Sequence, residues 1–192
     1  MKSRIQITCL LLWLPFLLFV ASSCSSQAQT TVNPDALLVQ EFEKRVAEYV
    51  KLHKNAEATL KPLKSTRSQE KIRHHQHELR EAILARRKEA VQGNIFTPEI
   101  GAEFRRLAGM AYQAEDQHIR ESLKRSEPVN LRCRVNKEYP DDKPLQTMPS
   151  SLLLNLPSLP PEIEYRLVSL NLVLRDIGAN LIVDCLEKAI PR

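Results

Sequence analysis

The chain has 192 residues, 28 of them Lys or Arg and 23 Asp or Glu, for a net charge of +5; 43% of residues are hydrophobic and only 5% aromatic. That length suits one compact domain or a domain with a small appendage, and the mild charge, with acids interleaved among the basic clusters Arg86-Arg87-Lys88 and Arg105-Arg106, gives no basic stripe for nucleic acid. No Gly-rich phosphate loop, nucleophile elbow, Cys-x-x-Cys or His-Glu-x-x-His occurs, so the common phosphate, acyl-transfer, redox and zinc-protease motifs are missing.

Lys2 and Arg4 precede an apolar run from Cys9 to Ala21, and the small-residue stretch Ser22 to Ala28 follows it. A charged head, a short apolar core and a small-residue tail predict a secretory signal peptide over residues 1–28. The run falls short of the ~20 residues of a spanning helix. Cleavage after Ala28 releases a soluble chain. Ala21-Ser22-Ser23-Cys24 also resembles a lipobox, and cleavage before Cys24 leaves a lipidated cysteine as the membrane anchor. The expected location is the bacterial periplasm or exterior, with membrane contact only through that lipid.

Residues 29–127 read as a helical region. The first helix opens at Asn33-Pro34, a cap followed by proline at the first helical position, and Leu38, Phe42, Val46, Tyr49, Val50 and His53 recur on one face until Pro62. The second starts near Ser65-Thr66, with Thr66 and Gln69 spaced as a capping box, and stops at Gly93-Asn94. Its apolar stripe is thin: Ile72, Leu79, Ile83 and Ala90. The third begins with Thr97 as cap and runs through Ile100, Phe104, Leu107, Ala108, Ala111 and Ile119 toward Pro128. Three amphipathic helices must bury their apolar faces, which predicts an antiparallel hairpin or three-helix bundle.

Most of the twelve prolines lie from Pro128 onward, and residues 128–162 read as a Pro-rich connector. Residues 163–190 then hold three short aliphatic runs, Glu164 to Val168, Leu172 to Arg175 and Leu181 to Asp184, parted by turn residues. They predict a small antiparallel β-meander. The expected fold class is α+β.

Leu159-Pro160-Pro161, Glu164-Tyr165-Arg166, Leu172-Val173-Leu174-Arg175-Asp176 and Ala179-Asn180-Leu181-Ile182-Val183-Asp184 together resemble a recurring ending of uncharacterised exported bacterial proteins with a charged helical region. The tail is more loosely similar to that of RcnB-type periplasmic proteins, which are associated with nickel and cobalt homeostasis. The resemblance covers about thirty residues and implies export; none of that family's metal-binding residues maps onto a position here.

Five residues of the second helix, Glu70, His74, His77, Glu78 and Glu81, share one face. Imidazoles and carboxylates three and four apart can converge on a divalent transition metal, and His74, His77, Glu78 and Glu81 are the candidate ligands. The plainer reading is a wet face laced with weak pairs. Glu115 and His118 form one Glu-x-x-His step, half of what a di-iron bundle needs. Asp176 and Asp184 flank Gly178 as ordinary turn aspartates, with an acid/base pair or calcium site as the sharper alternative. Cys133 and Cys185 are candidates for a disulfide in an oxidising compartment, against two separate buried thiols. No cofactor is required by any of this. The expected function is a non-enzymatic interaction or structural module of the cell envelope, with a protein partner or self-association and no nucleic acid; the alternative is a periplasmic metal-binding or metal-stress protein using the His74/His77 face.

Overall fold

A computed structural model describes residues 33–115, 117, 120–121, 134–140 and 148–190. The signal segment, Cys24, Cys133, His118 and Ile119 lie outside the described residues. The elements run α1 (Pro34–Glu57), α2 (Gln69–Arg86), α3 (Pro98–Ala114), α4 (Ser150–Asn155), β1 (Ile163–Val168), β2 (Asn171–Asp176) and β3 (Leu181–Leu186). The fold is α+β: helices followed by one antiparallel sheet in the order β1-β2-β3.

Helix α1 starts as its sequence dictates. Asn33 accepts the Asp35 amide on its side chain, and Pro34 occupies a position where a missing N–H costs nothing. Phe42, Val46, Tyr49, Val50, His53 and Ala56 form the buried stripe. In α3, Thr97 caps the Ile100 amide and Pro98 follows it. The aromatic rings of Phe42, Phe96 and Phe104 meet at centroid distances of 4.6–5.7 Å, and Tyr165 of β1 joins them at 6.4 Å from Phe42. Such pairs each add about 0.5–1.5 kcal/mol beyond the area they bury. Gly101 of α3 sits where a Cβ would lie 2.9 Å from Leu186 Cδ1, so a side chain there would displace the Leu186 tip from its place between helix and sheet.

The second helix departs from its local signals. It begins at Gln69 with Ser68 as cap, whose Oγ accepts the Lys71 amide. Thr66 Oγ1 instead takes the Ser68 amide, so no Thr66–Gln69 capping box forms. The helix ends at Arg86, well before Gly93-Asn94. The cause is tertiary: the chain after Arg86 turns to place the Gly93, Ile95 and Phe96 amides on the Asp184 carboxylate of β3. The connector also holds structure. Helix α4 lies within it and buries Leu152, with Leu156 buried just beyond.

The sheet carries two apolar faces. Ile163, Tyr165, Leu167, Leu172, Leu174, Leu181, Val183 and Leu186 join the helices in the main core. Val168, Val173, Ile182 and Cys185 form a second cluster with Tyr139. Residues 134–140 cover that side by running along β3, with the Asn136 amide on Ile182 O at 3.0 Å, the Ile182 amide on Lys137 O at 2.9 Å and the Tyr139 amide on Asn180 O at 2.9 Å. The meander and helices therefore share one core, and all described residues belong to the unit Val32–Arg192. Cys185 is disulfide-bonded.

The β2–β3 ladder contains a bulge. Leu174 pairs with Asp184 but Arg175 pairs with Ile182, leaving Val183 as an extra residue on β3. One extra residue reverses the alternation, so the residues after Val183 are re-aimed. The bulge turns Asp184 toward the helices.

Candidate functional site

Two buried aspartates organise the junction between sheet and helices. Asp176, at the end of β2, is 0% exposed and lies against α1. Its Oδ2 accepts the Tyr49 hydroxyl at 2.7 Å and is 2.6 Å from His53 Nδ1. Its Oδ1 accepts the Ala179 amide at 2.8 Å. Tyr49 and His53 stand one turn apart on α1, so both reach one carboxylate. Gly178 leaves room for this: a Cβ there would meet Leu79 Cδ2 at 3.2 Å and His53 Cε1 at 3.3 Å.

Asp184, also 0% exposed, binds only backbone N–H groups among the described residues. Oδ1 accepts Gly93 at 3.0 Å and Cys185 at 2.8 Å; Oδ2 accepts Ile95 at 2.7 Å and Phe96 at 2.9 Å. The carboxylate holds the loop between α2 and α3 on the sheet. The two aspartates are thus more than turn residues. The Asp176 contact to Ala179 and the Asp184 contact to Cys185 are local; the others span the fold.

Arg87 closes the arrangement. Its guanidinium carbon lies 5.0 Å from the Tyr49 ring centroid, and Nη2 donates to Val183 O at 3.0 Å, the carbonyl at the bulge. Tyr49 therefore has a cation on its ring and a carboxylate at its hydroxyl. Burial, then the Asp176 charge and hydrogen bond, hold the Tyr49 pKa well above 10.0, so the phenol stays protonated. Burial pulls the His53 imidazole down, but the Asp176 hydrogen bond and the charges of Asp176, Glu57 and Glu162 outweigh it, and the net shift is upward from 6.5.

That shift has a sign for stability. A histidine whose folded pKa exceeds its unfolded value stabilises the fold fully below pH 6.5, and the contribution fades as pH rises through the folded pKa. The thermal midpoint is expected to carry a falling component from pH 6.5 upward, and His53→Gln to remove it. A scan of midpoint against pH in which the variant keeps the wild-type slope contradicts this assignment.

Comparison with protein-family profiles, curated proteins and solved structures finds no match. The chemistry rests on this chain's own geometry. The Tyr49–Asp176–His53 cluster has the residue types of an acid/base centre: Tyr49 and His53 are 5% and 4% exposed and both bond Asp176, while His53 Nε2 lies 3.9 Å from the exposed Glu57. It joins sheet to helix.

The histidine face of α2 is divided. His74 Nε2 lies 3.6 Å from Glu78 Oε1, the i,i+4 contact of a wet helix. His77 Nδ1 instead meets Arg80 Nη2 at 3.2 Å, which places a cation beside a would-be ligand. Glu81 is exposed. Among the described residues, no group of three or more His, Cys, Asp or Glu side chains is arranged to hold a metal ion. His74, His75 and Glu78 border an open cleft of about 670 Å³ against the α1–α2 loop, with Lys61, Lys64 and Lys71 on its walls. Glu115 takes a hydrogen bond from Ser151 of α4.

Arg87 is legible in the sequence only as one member of a basic cluster. Its place depends on the early end of α2 and on the β3 bulge, neither of which leaves a local signal. Tyr49 and His53 are visible on the apolar face of α1. A phenol and an imidazole one turn apart on such a stripe need a buried acceptor, and that need is the signal that points to Asp176.

Proposed function

We propose that this chain is a non-enzymatic interaction module of the bacterial cell envelope, exported by residues 1–28 and associating with a protein partner or a second copy of itself. The observation that supports the reading is how the acid–imidazole–phenol cluster is engaged: Asp176, Tyr49 and His53 are buried, and the Tyr49 hydroxyl and His53 Nδ1 are both spent on the Asp176 carboxylate. The resemblance of the tail to endings of exported bacterial proteins supports the location. Helix α4 supports association, because Leu153 and Leu154 stay 47% and 84% exposed beside the buried Leu152.

Native mass spectrometry on the full chain expressed in a bacterial host, taken from membrane and soluble fractions, tests the reading. The expected result is a processed chain, starting after Ala28 or at a lipidated Cys24, in an oligomer or complex of defined stoichiometry. An unprocessed chain, or a monomer without partner in both fractions, overturns it.

A further inference from the structure

We propose that the cleft between α1 and the turn after α2 binds an oxyanion, a carboxylate or phosphate group on a small solute, through Arg87. The cleft has a volume of about 580 Å³, within the range of small-ligand sites. Four cations stand on its walls, Arg45, Arg86, Arg87 and Lys88, against two acids, Glu48 and Glu89.

The excess of charge alone is ordinary, since basic residues at a helix C-terminus complement its dipole. That accounts for Arg86, whose Nη1 donates to Ala82 O at 2.7 Å within α2. Arg45 is accounted for as well, pairing with Glu41 at 2.9 Å and donating to Asn94 O at 2.7 Å. Arg87 is different. Its Nη2 is used by Val183 O and its guanidinium lies over the Tyr49 ring, but its Nη1 is buried with no hydrogen-bond partner among the described residues.

The acids that bear on Arg87 from the sheet cannot supply one. Asp184 already accepts four backbone N–H groups, and Asp176 is engaged by Tyr49, His53 and Ala179. Among the described residues, Arg87 has no ion-pair partner. A guanidinium N–H group removed from water is costly unless an acceptor reaches it. It is held in place from behind by a carbonyl and a ring, which is the preorganised form in which arginine recognises carboxylate and phosphate. Arg87 lines the cleft with the exposed Arg86 and Lys88, so an oxyanion bound there is the acceptor assigned to it, and Arg45 adds a further positive charge to the lining. Oxyanion binding and association with a protein partner are independent properties of the chain, and either can fail alone.

The test is a titration of the full chain with inorganic phosphate and, separately, acetate, at constant ionic strength set with chloride, followed by amide NMR shifts and thermal midpoint. The expected result is saturable binding with shifts centred on Arg87 and Asn94, weakened about tenfold or more in Arg87→Gln. Tighter phosphate assigns the site to a phosphoryl group and tighter acetate to a carboxylate. If Arg87→Gln does not fold, the Arg45→Gln/Lys88→Gln pair decides: affinity reduced supports the site, affinity unchanged overturns it. Shifts that chloride reproduces, no shifts at all, or wild-type affinity in a folded Arg87→Gln also overturn it.

Discussion

Asp184→Ala is expected to lower the unfolding free energy by about 3–5 kcal/mol. The carboxylate takes the amides of Gly93, Ile95, Phe96 and Cys185, at 2.7–3.0 Å. A buried N–H left without an acceptor costs about 1–3 kcal/mol, and some of the four will find water after the loop relaxes, so the sum stays below the simple total. Asp184→Asn should cost roughly half as much, because its amide oxygen still accepts while its NH2 faces two donors. Urea unfolding measures both. A loss under about 1 kcal/mol for the alanine variant means that the loop does not need its anchor.

Asp176→Ala is expected to cost about 3–5 kcal/mol, since it leaves the Tyr49 hydroxyl and a charged or neutral His53 buried without their shared partner. Tyr49→Phe removes one hydrogen bond but keeps the ring beneath Arg87, and should cost only about 1 kcal/mol. The two variants separate the carboxylate's role from the ring's. Asp176→Ala should also abolish the falling pH component assigned to His53, because the largest influences raising that pKa come from Asp176. If Asp176→Ala unfolds at the same urea concentration as wild type, the sheet is not held to α1 by this cluster.

Residue order foretells some elements and not others. The starts of α1 and α3 are legible because their caps act within a few residues: Asn33 on Asp35 and Thr97 on Ile100. The strands are legible from short aliphatic runs between turn residues. The end of α2 is not, since a Gly-Asn pair that stops helices elsewhere serves here in a loop whose amides answer to Asp184, 91 residues beyond Gly93. The connector reads as irregular from its prolines, yet Pro149 opens a six-residue helix that puts Leu152 in the core.

The candidate site is less legible than the fold. His74, His77, Glu78 and Glu81 share a helix face by spacing alone, but convergence on a metal needs a second segment opposite, which spacing cannot provide. Asp176 and Asp184 look alike in the sequence, each following an aliphatic run near the Gly178 turn. They differ in the structure because a bulge at Val183 re-aims β3, so one carboxylate serves side chains of α1 and the other serves the backbone of the α2–α3 loop. Neither partner set can be found without pairing β2 with β3 first.

Native-state hydrogen exchange tests whether the two aspartates make meander and helices one cooperative body rather than a tail attached to a bundle. Amides of α1 around Tyr49 and of β3 around Val183 are expected to open with the same free energy, equal to that of global unfolding. Strand amides that open well below the α1 amides would show a separately folding tail and contradict the account.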